Sequence, residues 1–119
     1  MNRTKSENEV KQVMLDYTAA IIAYDIPRLK TIFHESALMS GYLGPNLLIG
    51  SPQSFYDHLE TNPIESEYVA LVTEIKVDGR VARVRFVEDN LYGMSFVNEF
   101  HLLKNESRWQ IVSKLFHHD

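Results

Sequence analysis

Two polar residues late in the chain stand among aromatics at strand spacing. They are Asn98, in Phe96-Val97-Asn98-Glu99-Phe100, and Lys114, in Val112-Ser113-Lys114-Leu115-Phe116. A turn at Asn105-Glu106-Ser107 joins the two segments. If that turn is a three-residue loop with Lys104 opposite Arg108, then Asn98 lies opposite Lys114, Phe100 opposite Val112 and Phe96 opposite Phe116. All six share one face, because strand residues two apart do. That face is apolar except for one amide and one ammonium. Buried groups of that kind need partners, and a polar pair among aromatics is also how small-molecule sites are built. Two readings stand side by side. Asn98 and Lys114 bond each other or the backbone and fix the strand register, or they contact a ligand. A slip of one residue in the turn would carry both to the other face.

One carboxylate can join them. On the strand Val81–Glu88, Arg83 and Arg85 mark the wet phase, so Ala82, Val84, Phe86 and Glu88 face inward, with Asn90 beyond. A glutamate buried among aromatics can act as an acid or base; a glutamate near a strand end is otherwise simply solvated. Tyr17, Phe33, Met39, Tyr42, Phe55, Tyr92 and Trp109 are the other large side chains expected on inner surfaces, as core or as ligand wall. Tyr42 and Tyr92 are the better ligand candidates, since each flanks a loop and carries a hydroxyl that needs a partner. His34 follows the second helix, where it either forms a dyad with an acid or satisfies free helix carbonyls. The weak catalytic candidates are thus Glu88, His34 and Tyr42. The histidines show no H-x-x-x-H or H-x-H spacing and cysteine is absent, so no metal site is expected. No phosphate loop, nucleophile elbow or dinucleotide fingerprint is present, and no cofactor is expected.

The elements that must position these residues change character halfway along. From Glu7 to Tyr24 the apolar residues Val10, Val13, Met14, Tyr17, Ile21 and Ile22 fall on one helical face, with Ser6 and Glu9 suited to a capping box. Asp25 ends this helix and Pro27 opens a short second one to about Phe33. Ala37–Tyr42 reads as a strand, Gly44-Pro45-Asn46 as a turn and Leu47–Ile49 as a return strand. Ser51 and Pro52 start a third helix carrying Phe55, Tyr56 and Leu59. Then the period becomes two: Tyr68–Val77, an Asp78-Gly79 hairpin, Val81–Glu88, Tyr92–Lys104 and Trp109–Phe116. Three helices followed by long strands make an α+β fold. The expectation is three N-terminal helices on a strongly curved antiparallel sheet, cone-shaped with an internal pocket. On the expected register the outer sheet face shows Val97, Glu99, His101 and Leu103 on one strand and Trp109, Ile111, Ser113 and Leu115 on the next, too apolar to be fully wet and so suited to an interface.

The order of elements resembles the nuclear transport factor 2-like superfamily, with its cystatin-like α+β cone. The segments Leu29–Ala37, Gly93–Lys104 and Trp109–His117 resemble its SnoaL-like, or putative lumazine-binding, bacterial branch. The resemblance implies a single domain over residues 1–119 and a homodimer through the sheet. It also admits isomerases, dehydratases, cyclases and members with no reaction. Relatives often carry Asp where this chain has Asn98, and an amide cannot act as a general base.

Composition narrows the function classes. With 12 Lys and Arg against 16 Asp and Glu, the net charge is −4, which argues against nucleic acid and acidic membrane surfaces as partners. No apolar run approaches the roughly 18–20 residues of a membrane span, and no secretory signal is evident, so a cytoplasmic protein is expected. The leading reading is a protein that binds a small hydrophobic or aromatic molecule without catalysis. The alternative is a cofactor-free isomerase, dehydratase or cyclase on a hydrophobic or polycyclic substrate. A protein-interaction module is third.

Overall fold

The computed structural model describes residues 2–118; Met1 and Asp119 lie outside it. Helix α1 spans Arg3–Ile22 and α2 spans Ile26–Ile32. They are followed by β1 (Phe33–Leu43), β2 (Asn46–Gly50) and α3 (Gln53–Thr61). The chain ends in β3 (Val69–Asp78), β4 (Val81–Leu91), β5 (Met94–Asn105) and β6 (Arg108–His118). The expected α+β class is what the chain forms.

The stripe Val10, Met14, Tyr17, Ala20 and Ile21 makes α1 amphipathic, and all five are buried. Ile22, expected on that stripe, points out instead. The helix also starts earlier than expected. Asn2, not Ser6, is its N-cap and accepts from the Lys5 amide at 2.9 Å. Asp25 caps α2 by accepting from the Arg28 amide at 3.2 Å.

The six strands form one sheet in the order β2-β1-β6-β5-β4-β3. Every pair is antiparallel except β1 and β6, which run parallel, so the sheet is mostly antiparallel. β2, α3 and β3 to β5 lie between β1 and β6 in sequence, so β6 returns alongside β1 by a long connection rather than a hairpin. Register irregularities interrupt four of the ladders. Each such break adds local twist and bends the sheet around the helices.

The last hairpin departs from the expected register in an instructive way. Its turn has two residues, Glu106-Ser107, with Asn105 opposite Arg108 and Glu106 at φ 60°. That alone shifts the pairing by one residue. A bulge then shifts it by one more, because Leu102 pairs with Ile111 but His101 with Ser113, leaving Val112 as the extra residue. Two odd shifts restore parity. Asn98 therefore lies opposite Phe116 and Phe100 opposite Lys114: the partners differ from expectation while the faces do not. Before the bulge the phase is reversed, which turns Trp109 and Ile111 inward and buries them. Trp109 Nε1 donates to Glu9 of α1 at 3.2 Å. Trp109 thus takes the inner surface, one of the two places its pattern allows, and the outer-face placement of both residues is corrected. The β3–β4 turn likewise uses Gly79-Arg80 rather than Asp78-Gly79, with Gly79 at φ 63°.

Candidate functional site

The inner face of the sheet has two ends. At one, Tyr17, Phe33, Phe86 and Phe100 fill the space beneath α1 completely. Tyr17 meets Phe86 and Phe100 edge-on, at centroid distances of 5.6 and 5.2 Å. Burying four such rings is a large apolar gain, and these side chains are core rather than wall. At the other end the strands border a hollow of about 330 Å³, at the low end of the range small-molecule sites occupy. Its walls include Met39 and Leu43 of β1, Leu48 of β2, Phe55 and His58 of α3, Met94 and Phe96 of β5, and Phe116 of β6. Leu91 and Tyr92 close it from the β4–β5 turn. Gly41 permits one wall to form. A Cβ there would meet the Phe116 carbonyl at 2.1 Å and its ring at 2.7 Å.

Lys114 and Glu88 reach the boundary between the two ends, and both border the hollow. The Lys114 side chain runs inward because the bulge at Val112 restores its phase. Its Nζ donates to the Tyr17 hydroxyl at 3.1 Å and lies 3.9 Å from the centroid of Phe55. Burial pulls the ammonium down to about 8 despite the opposing pull of Glu88. Glu88 is buried at the inner phase of β4, as its alternation with Arg83 and Arg85 predicts. One carboxyl oxygen accepts from the Tyr68 hydroxyl at 2.6 Å and the other from Asn98 Nδ2 at 2.7 Å. Asn98 Nδ2 also donates to the Phe86 carbonyl at 3.2 Å, while its Oδ1 is buried with no partner. Asn98 thus serves Glu88, not Lys114. Burial first, and the Glu88 charge second, push the Tyr17 and Tyr68 phenols well above their ordinary value. Both stay protonated at any ordinary pH.

The remaining sequence candidates divide. Tyr92 lines the hollow, with its hydroxyl donating to the Asn62 carbonyl at 2.9 Å and burial pushing its phenol up to about 12. Tyr42 does not. Met39 and Gly41 take the inner phase of β1, so Tyr42 points outward, 48% exposed. Asn90 is exposed as well, because the β4 ladder breaks between Glu88 and Leu91 and the alternation stops there. It sits at φ 60° and donates to the Glu67 carbonyl. Val112 is the bulged residue and borders an outer depression with Arg83 and His101. His34 lies away from the hollow and accepts from the Ser36 amide at 3.0 Å. Sequence reasoning missed Tyr68, His58, Leu43 and Leu48. The i, i+3 spacing of Phe55 and His58 on α3 was the available signal for one of them. Among the described residues no three metal-ligating side chains come together.

Comparison with known proteins agrees with this architecture. The model of the family described as putative lumazine-binding matches residues 5–117. The aldolase FrzH of Cladobotryum sp is 28% identical over 102 residues, covering 85% of this chain and 82% of that protein. An NTF2-like protein of unknown function from Shewanella baltica OS155 superposes with a TM-score of 0.90 at 25% identity, over 100% of this chain and 98% of that one. Another, from Methylobacillus flagellatus KT, gives a TM-score of 0.88 at 27% identity, over 97% and 93%.

Proposed function

The chain belongs to the putative lumazine-binding family of the nuclear transport factor 2-like superfamily, and from that premise we propose that it binds a small, flat, oxygen-bearing hydrophobic molecule in the hollow. The apolar body lies among Phe55, Phe96 and Phe116, and the oxygen meets Lys114 Nζ. One observation carries this reading. Lys114 borders the hollow and hydrogen-bonds Tyr17 alone among the described residues, although an ammonium has three donors. A ligand oxygen supplies what a buried cation lacks. Lumazine and naphthylmethanol are suitable probes by size and shape. Each is expected to raise the melting temperature of the wild type. Lys114→Met is expected to weaken binding roughly 10- to 100-fold, the worth of a hydrogen bond to a charged group. Equal melting shifts in Lys114→Met and wild type would overturn the polar anchor.

A second reading has its own observation. Glu88 and Lys114 border one cavity, and converging titratable groups are what proton-transfer chemistry needs. The similarity to a protein named as an aldolase points the same way. On this reading the protein is a cofactor-free isomerase, dehydratase or related enzyme, with Glu88 carrying the proton. Deuterium uptake beside the carbonyl of an aryl ketone, lost in Glu88→Gln, is the expected sign; no uptake above buffer would exclude it.

A homodimer through the outer sheet face fits the exposure of Leu38, Tyr42 and Leu115. Light scattering should then give twice the chain mass at micromolar concentration, and the chain mass itself would count against it. No described helix is long and apolar enough to cross a membrane.

A further inference from the structure

Lys114 is unlike the other lysines of the chain. Lys5, Lys11 and Lys30 are exposed on helices and Lys76 on β3, and Lys104 reaches Glu9 at 3.6 Å. Lys114 is buried, and none of the carboxylates in the described ion pairs is its partner. What surrounds its Nζ is aromatic. Phe55 lies at 3.9 Å, with Tyr17, Phe116 and Phe100 at 5.8, 5.9 and 6.0 Å to their centroids. The amine stands at the edge of a hollow large enough for a small molecule.

We propose that Lys114 captures aldehydes and ketones covalently, as a Schiff base on Nζ. The inference rests on the hollow being a binding site and adds the chemical class of its occupant, a carbonyl compound. The neutral amine attacks the carbonyl carbon, and the C–O π pair moves to oxygen, which takes a proton. The resulting carbinolamine then breaks its C–O bond, and the oxygen leaves as water with a second proton. In sum, one ammonium and one carbonyl become one iminium and one water, with a single positive charge on each side. No oxidant, reductant or further reactant enters.

The chain supplies what each stage needs. A primary amine is a nucleophile only when unprotonated, and desolvation in an apolar pocket is the usual way to make it so. With the amine held at about 8, roughly a tenth is neutral at pH 7, against less than one part in a thousand for an ordinary lysine. The Tyr17 hydroxyl, 3.1 Å from Nζ, lies within reach of an oxygen on the attacked carbon. Ammonium and iminium are both cations, so the aromatic rings favour each of them. The titratable groups around the amine are Tyr17 of α1 and Glu88 of β4, with His58 of α3 and Tyr92 of the β4–β5 turn sharing the hollow.

The test uses naphthaldehyde with sodium borohydride, which reduces an imine to a stable secondary amine, and naphthylmethanol, which cannot form one. Intact mass should show one naphthylmethyl group per chain, and peptide mapping should place it on Lys114. Labelling there should exceed that of an average exposed lysine by at least about tenfold, following the larger neutral fraction. The rate should rise through about pH 8. Naphthylmethanol should protect the wild type, and Lys114→Met should lose the adduct. Melting shifts with naphthylmethanol report the hollow independently. If the alcohol stabilises the protein but labelling spreads evenly over exposed lysines, the Schiff base is overturned and the binding site stands. If the alcohol gives no shift and Lys114 is unlabelled, both fail.

Discussion

The two ends of the inner sheet face use the same strands for opposite purposes. Toward α1, β4 and β5 present Phe86 and Phe100, which Tyr17 and Phe33 lock into a solid aromatic block. Toward the β4–β5 turn, the next inward residues on those strands are Glu88 and Asn98, and beyond them Phe96 meets Phe116 at 6.2 Å on the wall of the hollow. The closed end is held by apolar area, and its Tyr17 hydroxyl is met by Lys114 at the boundary. The open end keeps a carboxyl, an amide and an ammonium out of water, and satisfies them only partly: Asn98 Oδ1 has no partner. A polar network of this kind costs stability where it is incomplete, and its place beside a cavity is what the proposed binding role would account for.

Truncation at the closed end should do the most damage. Phe100→Ala, at a fully buried ring, is expected to cost about 3–5 kcal/mol in urea denaturation. A loss below about 1 kcal/mol would mean that the block is not close-packed. At the boundary, Glu88→Ala strands the Tyr68 hydroxyl and the Asn98 amide and should cost about 3 kcal/mol. Because Lys114 loses its nearby counter-charge in the same change, adding Lys114→Met to Glu88→Ala should recover part of that loss. Strict additivity in this cycle would deny the coupling.

The pH dependence is smaller and has a definite sign. Lys114 is held at about 8 in the folded chain, below its ordinary 10.5. Below pH 8 both folded and unfolded chains carry the proton, and burial of the charge opposes folding. Between pH 8 and 10 the folded chain releases a proton the unfolded chain keeps, so this group's contribution to stability rises, by about 1 kcal/mol per pH unit at most. Tyr17 and Tyr68 act in the other direction only above pH 10, where unfolded phenols ionise and the folded ones do not. Lys114→Met should flatten the rise between pH 8 and 10 in denaturation curves. An unchanged slope would remove Lys114 as its source. The smallest effect belongs to the open end: Met94→Ala, beside existing space, should cost less than about 1 kcal/mol.

How much of this was legible in the sequence follows from the kind of signal each residue carries. Alternation with Arg83 and Arg85 placed Glu88 inward, because a period of two is read without knowing the partner strand. The pairing of Asn98 was not readable, since it depends on a turn length and a bulge at Val112 that no residue type announces. Parity survived because the two shifts cancelled in phase, so Lys114 and Asn98 kept the expected face. Tyr42 was misplaced because proximity to a loop says nothing about strand phase. Tyr68 escaped notice because its role comes from a contact with Glu88, 20 positions along the chain. The closed end, built from periodic apolar residues, was the more legible of the two.

Whether the open end is a binding site is decided by a crystal structure grown with naphthylmethanol. One molecule is expected in the hollow, its rings among Phe55, Phe96 and Phe116 and its oxygen within hydrogen-bond reach of Lys114 Nζ. A hollow closed by its own side chains, or a molecule seated only on the outer face beside Arg83 and His101, would contradict it.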